Sequence, residues 1–188
     1  MSVRRPKLLG LSGSLRRASF NTAILQTLAQ AAAAKTELTL FPLNEIPLYN
    51  GDLEGPDVPP VVTRLKSTIA ASDGIIIASP EYNYGMPGVL KNALDWASRP
   101  AFESPLKSKP VLLITSSPGA LGGVRAQAQL QETFSATLSR VVARPQVIIT
   151  SVKEKVVDGR LVDAAALQFA LEAIEDLLSE ISLLRCVA

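Results

Sequence analysis

The sequence contains no histidine, and this absence excludes several kinds of reactive site. Ser-His-Asp and Cys-His catalytic groups, and metal sites that use histidine, all depend on an imidazole ring. Cysteine is almost absent too: Cys186 is the single one, so neither an intramolecular disulfide nor a multi-cysteine metal site can form. We therefore predict that the protein binds no metal and that something other than a side chain carries its chemistry.

Net charge and long apolar segments are also scarce. The formal net charge is +2 and the two signs are interspersed, which argues against nucleic acid or a membrane surface as a partner. No apolar run approaches the ~20 residues of a membrane span, and the basic segment 1–7 is followed by an apolar strand much shorter than the core of a secretion signal. These features predict a cytoplasmic protein whose partner is a small molecule.

Apolar residues, in contrast, make up 47% of the 188 residues, which predicts a single domain, 1–188, with a sizeable core. Short apolar segments alternate with amphipathic ones, as in proteins that cover a parallel sheet with helices on both faces. The predicted strands are 7–11, 37–43, 74–80, 110–116 and 145–152, and the predicted helices are 23–34, 61–71, 89–98, 123–138 and 161–184. We predict a doubly wound α/β three-layer sandwich with a five-stranded parallel sheet in the flavodoxin-like order 2-1-3-4-5.

In such a sheet a ligand binds beyond the carboxyl ends of the strands, so the loops after strands one, three and four become candidates. The first loop offers neutral donors and one forked cation beside a helix start whose N–H groups are unpaired. These donors are Ser12, Ser14, Arg16, Ser19 and Asn21. The loop lacks the Gly-Lys pair of a Walker loop and, with only Gly10 and Gly13, the three glycines of a dinucleotide fingerprint. We predict a phosphate monoester as ligand; the alternative is that these residues only form a turn and cap the helix.

The loops after predicted strands three and four complete the candidate site. One joins Tyr82 and Tyr84 with prolines and glycines that fix the loop shape, so a planar heterocycle could rest there. The other contains glycines that let backbone amides approach a ligand, and Arg125 follows at the start of the next helix. Positive potential at that helix start, together with Arg125, is predicted to stabilise an anion developing on the ring system. The alternatives are ordinary turn geometry and surface packing.

Together these loops resemble those of one known family. The matching motifs are 13–16 with Ser19 and Asn21, 79–83, 88–96 and 119–125. They are similar to the motifs of the NADPH-dependent FMN reductases, a family that includes quinone, chromate and azo-dye reductases, and the resemblance covers nearly the whole chain. It implies a flavodoxin-like fold, non-covalently bound FMN and NADPH as co-substrate.

The resemblance also implies roles for individual residues. The FMN phosphate would be held by Ser12, Ser14, Arg16, Ser19 and Asn21. The isoalloxazine ring would be lined, largely through backbone groups, by Pro80, Glu81, Tyr82 and Asn83, and contacted by Ser117 and Gly119. Apart from the resemblance, discrimination between NADPH and NADH needs a cation near the flavin, for which Arg17 and Arg125 are candidates and Arg99 a weaker third. The alternative is that these arginines are simply solvated or lie at an interface. Tyr84 is a further candidate for the substrate site.

The implied reaction is hydride transfer from NADPH to the flavin N5 atom and on to an acceptor, so no catalytic side chain is predicted. A quinone, free flavin, chromate or an azo compound could all meet an exposed flavin. The alternative is a flavodoxin-type electron carrier that acts with protein partners, although such carriers are strongly acidic and use a Thr-rich phosphate loop. A flavin-free binding protein is a third possibility.

Members of this family are usually dimers or dimers of dimers, so the resemblance implies a homodimer or homotetramer. It places helix 89–96 at the interface and lets the loop 47–52 reach the partner's flavin. The helical spacing of Leu90, Ala93, Leu94 and Trp96 also fits ordinary core packing within one subunit.

Overall fold

A parallel β-sheet forms the centre of the molecule in a computed structural model that describes residues 4–187. Its strands are β1 (Lys7–Ser12), β2 (Glu37–Phe41), β3 (Gly74–Ser79), β4 (Pro110–Ser116), β5 (Arg140–Val141) and β6 (Val147–Ile149). They are ordered β2-β1-β3-β4-β5, and β6 also pairs with β4. Every pairing in this sheet is parallel, so the predicted doubly wound, flavodoxin-like fold class is confirmed.

Helices cover both faces of this sheet. They are α1 (Phe20–Ala31), α2 (Pro60–Ala71), α3 (Gly88–Ala97), α4 (Val124–Ala136), α5 (Val152–Lys155) and α6 (Ala164–Val187). A hairpin of β7 (Val156–Val157) and β8 (Arg160–Leu161) precedes α6, and two 3-10 turns, Gly51–Leu53 and Gly55–Asp57, lie in the loop after β2. Over residues 4–187, no helix combines the length and the hydropathy that crossing a membrane requires.

The apolar core consists of two layers, one on each face of the sheet. Successive side chains of a strand point to opposite faces. Ile76 and Ala78 of β3 therefore pack in the layer under α1 and α6, whereas Ile75 and Ile77 pack in the layer under α2, α3 and α4. All six residues of β3 are buried, as expected for a central strand covered on both sides.

Helix α3 directs its large apolar side chains into this core. Leu90, Ala93, Leu94 and Trp96 are all buried, with Trp96 only 1% exposed. Their helical spacing is therefore explained by packing within one subunit, which leaves the other face of α3 for any partner.

The fifth position of the sheet differs from the prediction of one strand over 145–152. Two short strands occupy it instead: Val141 of β5 lies opposite Val111, and Val147 of β6 lies opposite Ile114. Pro145 has no N–H to donate to β4, so the ladder is interrupted between the two segments. After β6 the chain turns at Ser151, whose φ is 48°, into the short helix α5.

Two helix starts also differ from the prediction. Helix α1 begins at Phe20, not at 23, because the hydroxyl of Ser19 accepts a hydrogen bond from the Thr22 N–H (3.2 Å) and caps the first turn. The last helix begins at Ala164, not at 161, because a left-handed turn at Asp158 and Gly159 folds the preceding residues into the β7–β8 hairpin.

Candidate functional site

Three loops at the carboxyl edge of the sheet surround a cleft of about 170 Å³. They follow β1, β3 and β4, which are the strands that the topology rule selects for ligand binding. The predicted site residues that line the cleft are Ser14, Arg16, Ser19, Asn21, Pro80, Glu81, Tyr82 and Ser117. Sequence reasoning missed four further lining residues, Phe20, Ser116, Pro118 and Val152.

The loop after β1 is held against β3 by its backbone. The Gly13 N–H donates to the carbonyl of Ala78 (2.8 Å). A β-carbon at position 13 would lie 2.6 Å from the Ser79 hydroxyl oxygen, so a side chain there would push the two loops apart. Gly13 is thus required for the close approach that brings the first and second loops to one cleft.

The start of α1 presents donors and a cation to this cleft. Ser19 is buried as the N-cap, and Asn21, 3% exposed, accepts a hydrogen bond from the Ser116 hydroxyl (3.0 Å). Arg16 is exposed, and its guanidinium carbon lies 5.9 Å from the centroid of the Phe20 ring. Hydroxyls, a forked cation and the unpaired N–H groups of a helix start form a donor set that fits a phosphate monoester.

Ser12 lies to one side of this donor set. Its hydroxyl accepts a hydrogen bond from the Thr22 hydroxyl (2.9 Å), and it lines a neighbouring depression of about 320 Å³ toward the end of β2. Ser14 and Arg16 line both cavities, so they separate the two. The structure therefore groups four of the five predicted phosphate ligands and leaves Ser12 behind them.

The loop after β3 contains a tight hairpin, residues 82–85, which we call the tyrosine hairpin. Its ends pair through two backbone hydrogen bonds, Tyr82 N–H to Gly85 carbonyl (2.9 Å) and Gly85 N–H to Tyr82 carbonyl (3.1 Å). The tip residues Asn83 and Tyr84 both have left-handed backbone, with φ of 49° and 67°. Tyr82 borders the cleft, whereas Asn83 lies outside its lining at the exposed tip.

Glu81 points its carboxylate at the start of α4. One carboxylate oxygen accepts hydrogen bonds from the N–H groups of Arg125 (2.9 Å) and Ala126 (3.2 Å), and the other lies 3.6 Å from the Arg125 guanidinium. That guanidinium lies 4.2 Å from the centroid of the Tyr84 ring. That the start of α4 and Arg125 stabilise an anion developing on the ring system stays a prediction; in the structure the carboxylate of Glu81 occupies this helix start.

The loop after β4 depends on two left-handed glycines. Gly122 and Gly123 have φ of 58° and 93°, and a β-carbon at position 122 would lie 2.2 Å from Ile148. The Ser117 hydroxyl accepts a hydrogen bond from the Gly119 N–H (2.9 Å). The predicted Gly119 amide is thus engaged within its own loop, and Gly119 lies outside the cleft lining.

Arg17 also lies outside the cleft. It lines a separate depression between the start of α1 and the β7–β8 hairpin, together with Asp158 and Gly159. Arg99 lines neither of these cavities: its guanidinium lies over the Tyr49 ring and 3.6 Å from the Glu54 carboxylate. Of the predicted cations, Arg16 therefore lines the cleft, and Arg125 contacts it through Glu81.

A donor-rich turn, an aromatic hairpin and a glycine loop meet at one edge of a 2-1-3-4-5 sheet, the architecture of the flavodoxin-like α/β proteins. The profile of the family described as NADPH-dependent FMN reductase matches residues 6–154. The chain belongs to that family, so the resemblance inferred from its motifs is confirmed.

Individual relatives agree with this assignment. An NAD(P)H-dependent FMN reductase of Pseudomonas aeruginosa is 40% identical over 172 residues, which cover 91% of this chain and 92% of that protein. A quinone reductase of Escherichia coli (strain K12) is 38% identical over 165 residues, covering 86% and 87%. Among solved structures, FerB, a flavoenzyme NAD(P)H:(acceptor) oxidoreductase from Paracoccus denitrificans, has a TM-score of 0.83 at 31% identity, covering 94% of this chain and 97% of that one.

Proposed function

We propose that this protein is an NAD(P)H-dependent FMN oxidoreductase that transfers a hydride to a small acceptor such as a quinone. The observation that carries the proposal is the cleft at the carboxyl edge, where Arg16, Ser14 and the start of α1 form a donor set for a phosphate monoester. Family membership and the quinone reductases among the relatives support it. FMN, when bound, supplies the site that accepts and returns the hydride.

In this proposal the first loop holds the phosphate. The forked guanidinium of Arg16 suits two parallel hydrogen bonds to phosphate oxygens, and the Ser14 hydroxyl lies beside it. Ser19 and Asn21 are buried at the start of α1, where the helix dipole favours a negative group. Ser12 contributes through Thr22 as a support for the turn, since their hydroxyls are 2.9 Å apart.

The other two loops then surround the ring system. Pro80, Tyr82 and Ser117 border the cleft, and we assign them to the isoalloxazine, with backbone groups as the polar contacts. Asn83 and Gly119 lie outside the cleft lining, Asn83 at the hairpin tip and Gly119 with its N–H bound to Ser117. In this proposal they contact the edge of the isoalloxazine. Glu81 acts through its backbone, because its carboxylate is engaged by α4.

The chain's own task in the reaction is orientation. With no histidine in the sequence and no predicted catalytic side chain, its loops would place flavin and substrate in contact and leave proton transfer to solvent and substrate. Tyr82 and Tyr84 are 49% and 72% exposed, so the mouth of the cleft is open to a planar substrate. An open mouth would let NAD(P)H and an acceptor occupy the same place in turn.

Anaerobic titration tests this proposal directly. Protein loaded with FMN should lose its oxidised-flavin absorbance when NADPH is added without another reductase, and a quinone should restore it. Initial rates at several quinone concentrations should give parallel double-reciprocal lines, as a ping-pong cycle requires. Reduction only in the presence of a partner reductase would favour the electron-carrier alternative instead, and failure to bind FMN would overturn both.

We further propose that the enzyme is a cytoplasmic homodimer or homotetramer. The loop 47–52 is fixed to α3: the Pro47 carbonyl accepts from the side chains of Asn92 (2.8 Å) and Trp96 (2.9 Å), and Tyr49 N–H donates to Asn92 (2.7 Å). The loop presents Leu48, 83% exposed, and we assign this side chain to contact with a second subunit. Light scattering of wild type and Leu48→Asp tests the assembly, and cell fractionation tests the location; a wild-type monomer at micromolar concentration would contradict the first.

A further inference from the structure

The tyrosine hairpin contains one unfavourable backbone conformation, which neighbouring residues must compensate. Both tip residues have left-handed backbone; asparagine tolerates it, so the cost falls on Tyr84, whose side chain is crowded there. Only two backbone hydrogen bonds close the hairpin itself, and both tip residues are exposed. A fixed position for this hairpin therefore requires anchors outside it.

Helix α4 supplies an anchor on each side of the hairpin. Just before the hairpin, the carboxylate of Glu81, with a side chain only 14% exposed, accepts from the N–H groups of Arg125 and Ala126. Just after it, the N–H of the buried Met86 donates to the side-chain oxygen of Gln129 (2.6 Å), one turn further along α4. The hairpin is thus fastened to a single rigid element at both ends.

The fit between these elements is close. A β-carbon at Gly85 would lie 2.6 Å from the side-chain oxygen of Gln129, so the glycine lets Gln129 reach the hairpin. At the tip, the Arg125 guanidinium stacks on the Tyr84 ring while remaining 3.6 Å from Glu81. One carboxylate therefore orients both the helix start and the cation that covers the tip.

We propose that Glu81 and Gln129 are positioning residues, which fasten the tyrosine hairpin to α4 and thereby fix where the hairpin meets the flavin ring. The inference rests on the proposed function, since Tyr82 borders the cleft assigned to the flavin. Neither side chain is required to touch the ring. Their contribution is preorganisation: a hairpin that is already in place costs the ligand less ordering on binding.

Four variants separate this role from simple structural support. Glu81→Ala and Gln129→Leu each remove one anchor. Gln129→Glu keeps an acceptor oxygen for the Met86 N–H, and Glu132→Ala removes an exposed carboxylate on the same helix, so both serve as matched controls. Two measurements follow for each: amide hydrogen exchange of the flavin-free protein, and the Kd values of FMN and riboflavin by quenching of flavin fluorescence.

We expect Glu81→Ala and Gln129→Leu to speed amide exchange in residues 82–86 about tenfold or more, with β1 and β3 unchanged, since about 1.4 kcal/mol of lost hydrogen bonding corresponds to a factor of ten. Both flavins should bind severalfold more weakly and by equal factors, because the hairpin meets the ring and not the phosphate. The two control variants should match wild type in both measurements.

Other results would overturn the inference. Unchanged exchange in residues 82–86 would show that the anchors are not needed, and equal acceleration in β1 and β3 would show that they only support the whole fold. If the variants bound FMN more weakly but bound riboflavin as wild type does, the anchors would act at the phosphate and not at the ring. If the wild-type protein binds neither flavin, the proposed function fails together with the ring contact, whereas the exchange data still decide whether the anchors hold the hairpin.

Discussion

The amino edge and the carboxyl edge of the sheet hold their charged groups differently. At the amino edge, Asp73 precedes β3 and accepts hydrogen bonds from the guanidinium groups of Arg4 (3.0 Å) and Arg185 (2.8 Å) and from the Lys7 N–H (2.7 Å). At the carboxyl edge, Arg16 is exposed and, within the described residues 4–187, has no carboxylate within 4.0 Å. One edge satisfies its charges internally, and the other keeps a cation available.

This difference indicates that the two edges have different tasks: the amino edge is structural, and the carboxyl edge is chemical. The Asp73 group joins segments from both ends of the described chain to the central strand. The loops at the carboxyl edge are also well fastened, but through backbone groups and helix caps, which leaves Ser14 and Arg16 free to face the cleft. Substitutions at the carboxyl edge should therefore change ligand binding, and those at the amino edge should change stability.

The largest effect on the carboxyl edge is expected for Gly13→Val. The added side chain would collide with Ser79 and with the Pro80 ring, 3.2 Å from the new β-carbon, and neither strand end nor proline can yield easily. We expect a loss of about 3 kcal/mol in FMN binding, the upper part of the range for overpacking. Fluorescence titration measures it, with Gly88→Ala as control because position 88 has open space around it. FMN affinity equal to wild type would mean that the first two loops need not approach closely.

The next largest effect is expected for Arg16→Ala. Loss of a forked, charge-assisted contact should weaken FMN by about 1.5–3 kcal/mol but riboflavin much less, because riboflavin has no phosphate. Titration with both flavins tests this, and Arg17→Ala is the matched control, since Arg17 faces a different depression. Equal weakening of the two flavins would show that Arg16 serves the ring or the fold instead.

At the amino edge, Asp73→Asn should lower stability by about 1–2 kcal/mol without changing FMN affinity, since it removes the charge that two arginines share. Burial alone would raise the pKa of Asp73, but the Lys7 N–H and the guanidinium groups of Arg185 and Arg4 outweigh it and hold that pKa below its ordinary value.

The sign of the pH effect follows from this lowered pKa. The unfolded chain protonates Asp73 first as pH falls, so the stabilisation is complete above the ordinary carboxylate pKa and is lost as pH drops toward the folded value. Thermal melts from about pH 6 to about pH 3 should therefore show a steeper fall in Tm for wild type than for Asp73→Asn. Parallel curves would show that Asp73 contributes no pH-dependent stability.

The sequence was sufficient to predict the fold, and the edge of the sheet at which the cleft lies, for a specific physical reason. Buried strands such as β3 are continuous apolar runs, and the alternation of strands and helices predicts a parallel doubly wound sheet, for which the flavodoxin-like order fits best. The loop residues that follow these runs, Ser14 and Pro80 among them, fall at the carboxyl edge, as the topology rule requires. Local pattern and topology together therefore located the cleft.

What sequence reasoning could not supply is the direction of individual side chains. Asn21 and Ser116 form a hydrogen bond across 95 positions of the chain, and nothing in either segment alone indicates it. Glu81 borders the cleft but directs its carboxylate at the start of α4, because Gly123, in a left-handed conformation, lets that helix start lie close to Thr115 of β4 and to Glu81. Such contacts depend on how two packed elements meet, which composition and spacing do not encode.

The smallest effect is expected for Arg125→Ala. This variant compares the paired cation Arg125 with Arg16, the cation at the same edge that has no carboxylate partner within residues 4–187. Arg125 is stacked on Tyr84 and lies 3.6 Å from Glu81, yet its side chain is 48% exposed, so it can still reach the 2′-phosphate that distinguishes NADPH from NADH. Its removal should raise the KM for NADPH about fivefold, or about 1 kcal/mol, and leave the kinetics with NADH nearly unchanged.

Steady-state rates with both nucleotides at a fixed quinone concentration test this, with Arg17→Ala assayed in parallel as the competing candidate. An equal rise in KM for both nucleotides would mean that Arg125 only supports the tyrosine hairpin, whereas a selective effect of Arg17→Ala would move the phosphate site to the depression beside the β7–β8 hairpin.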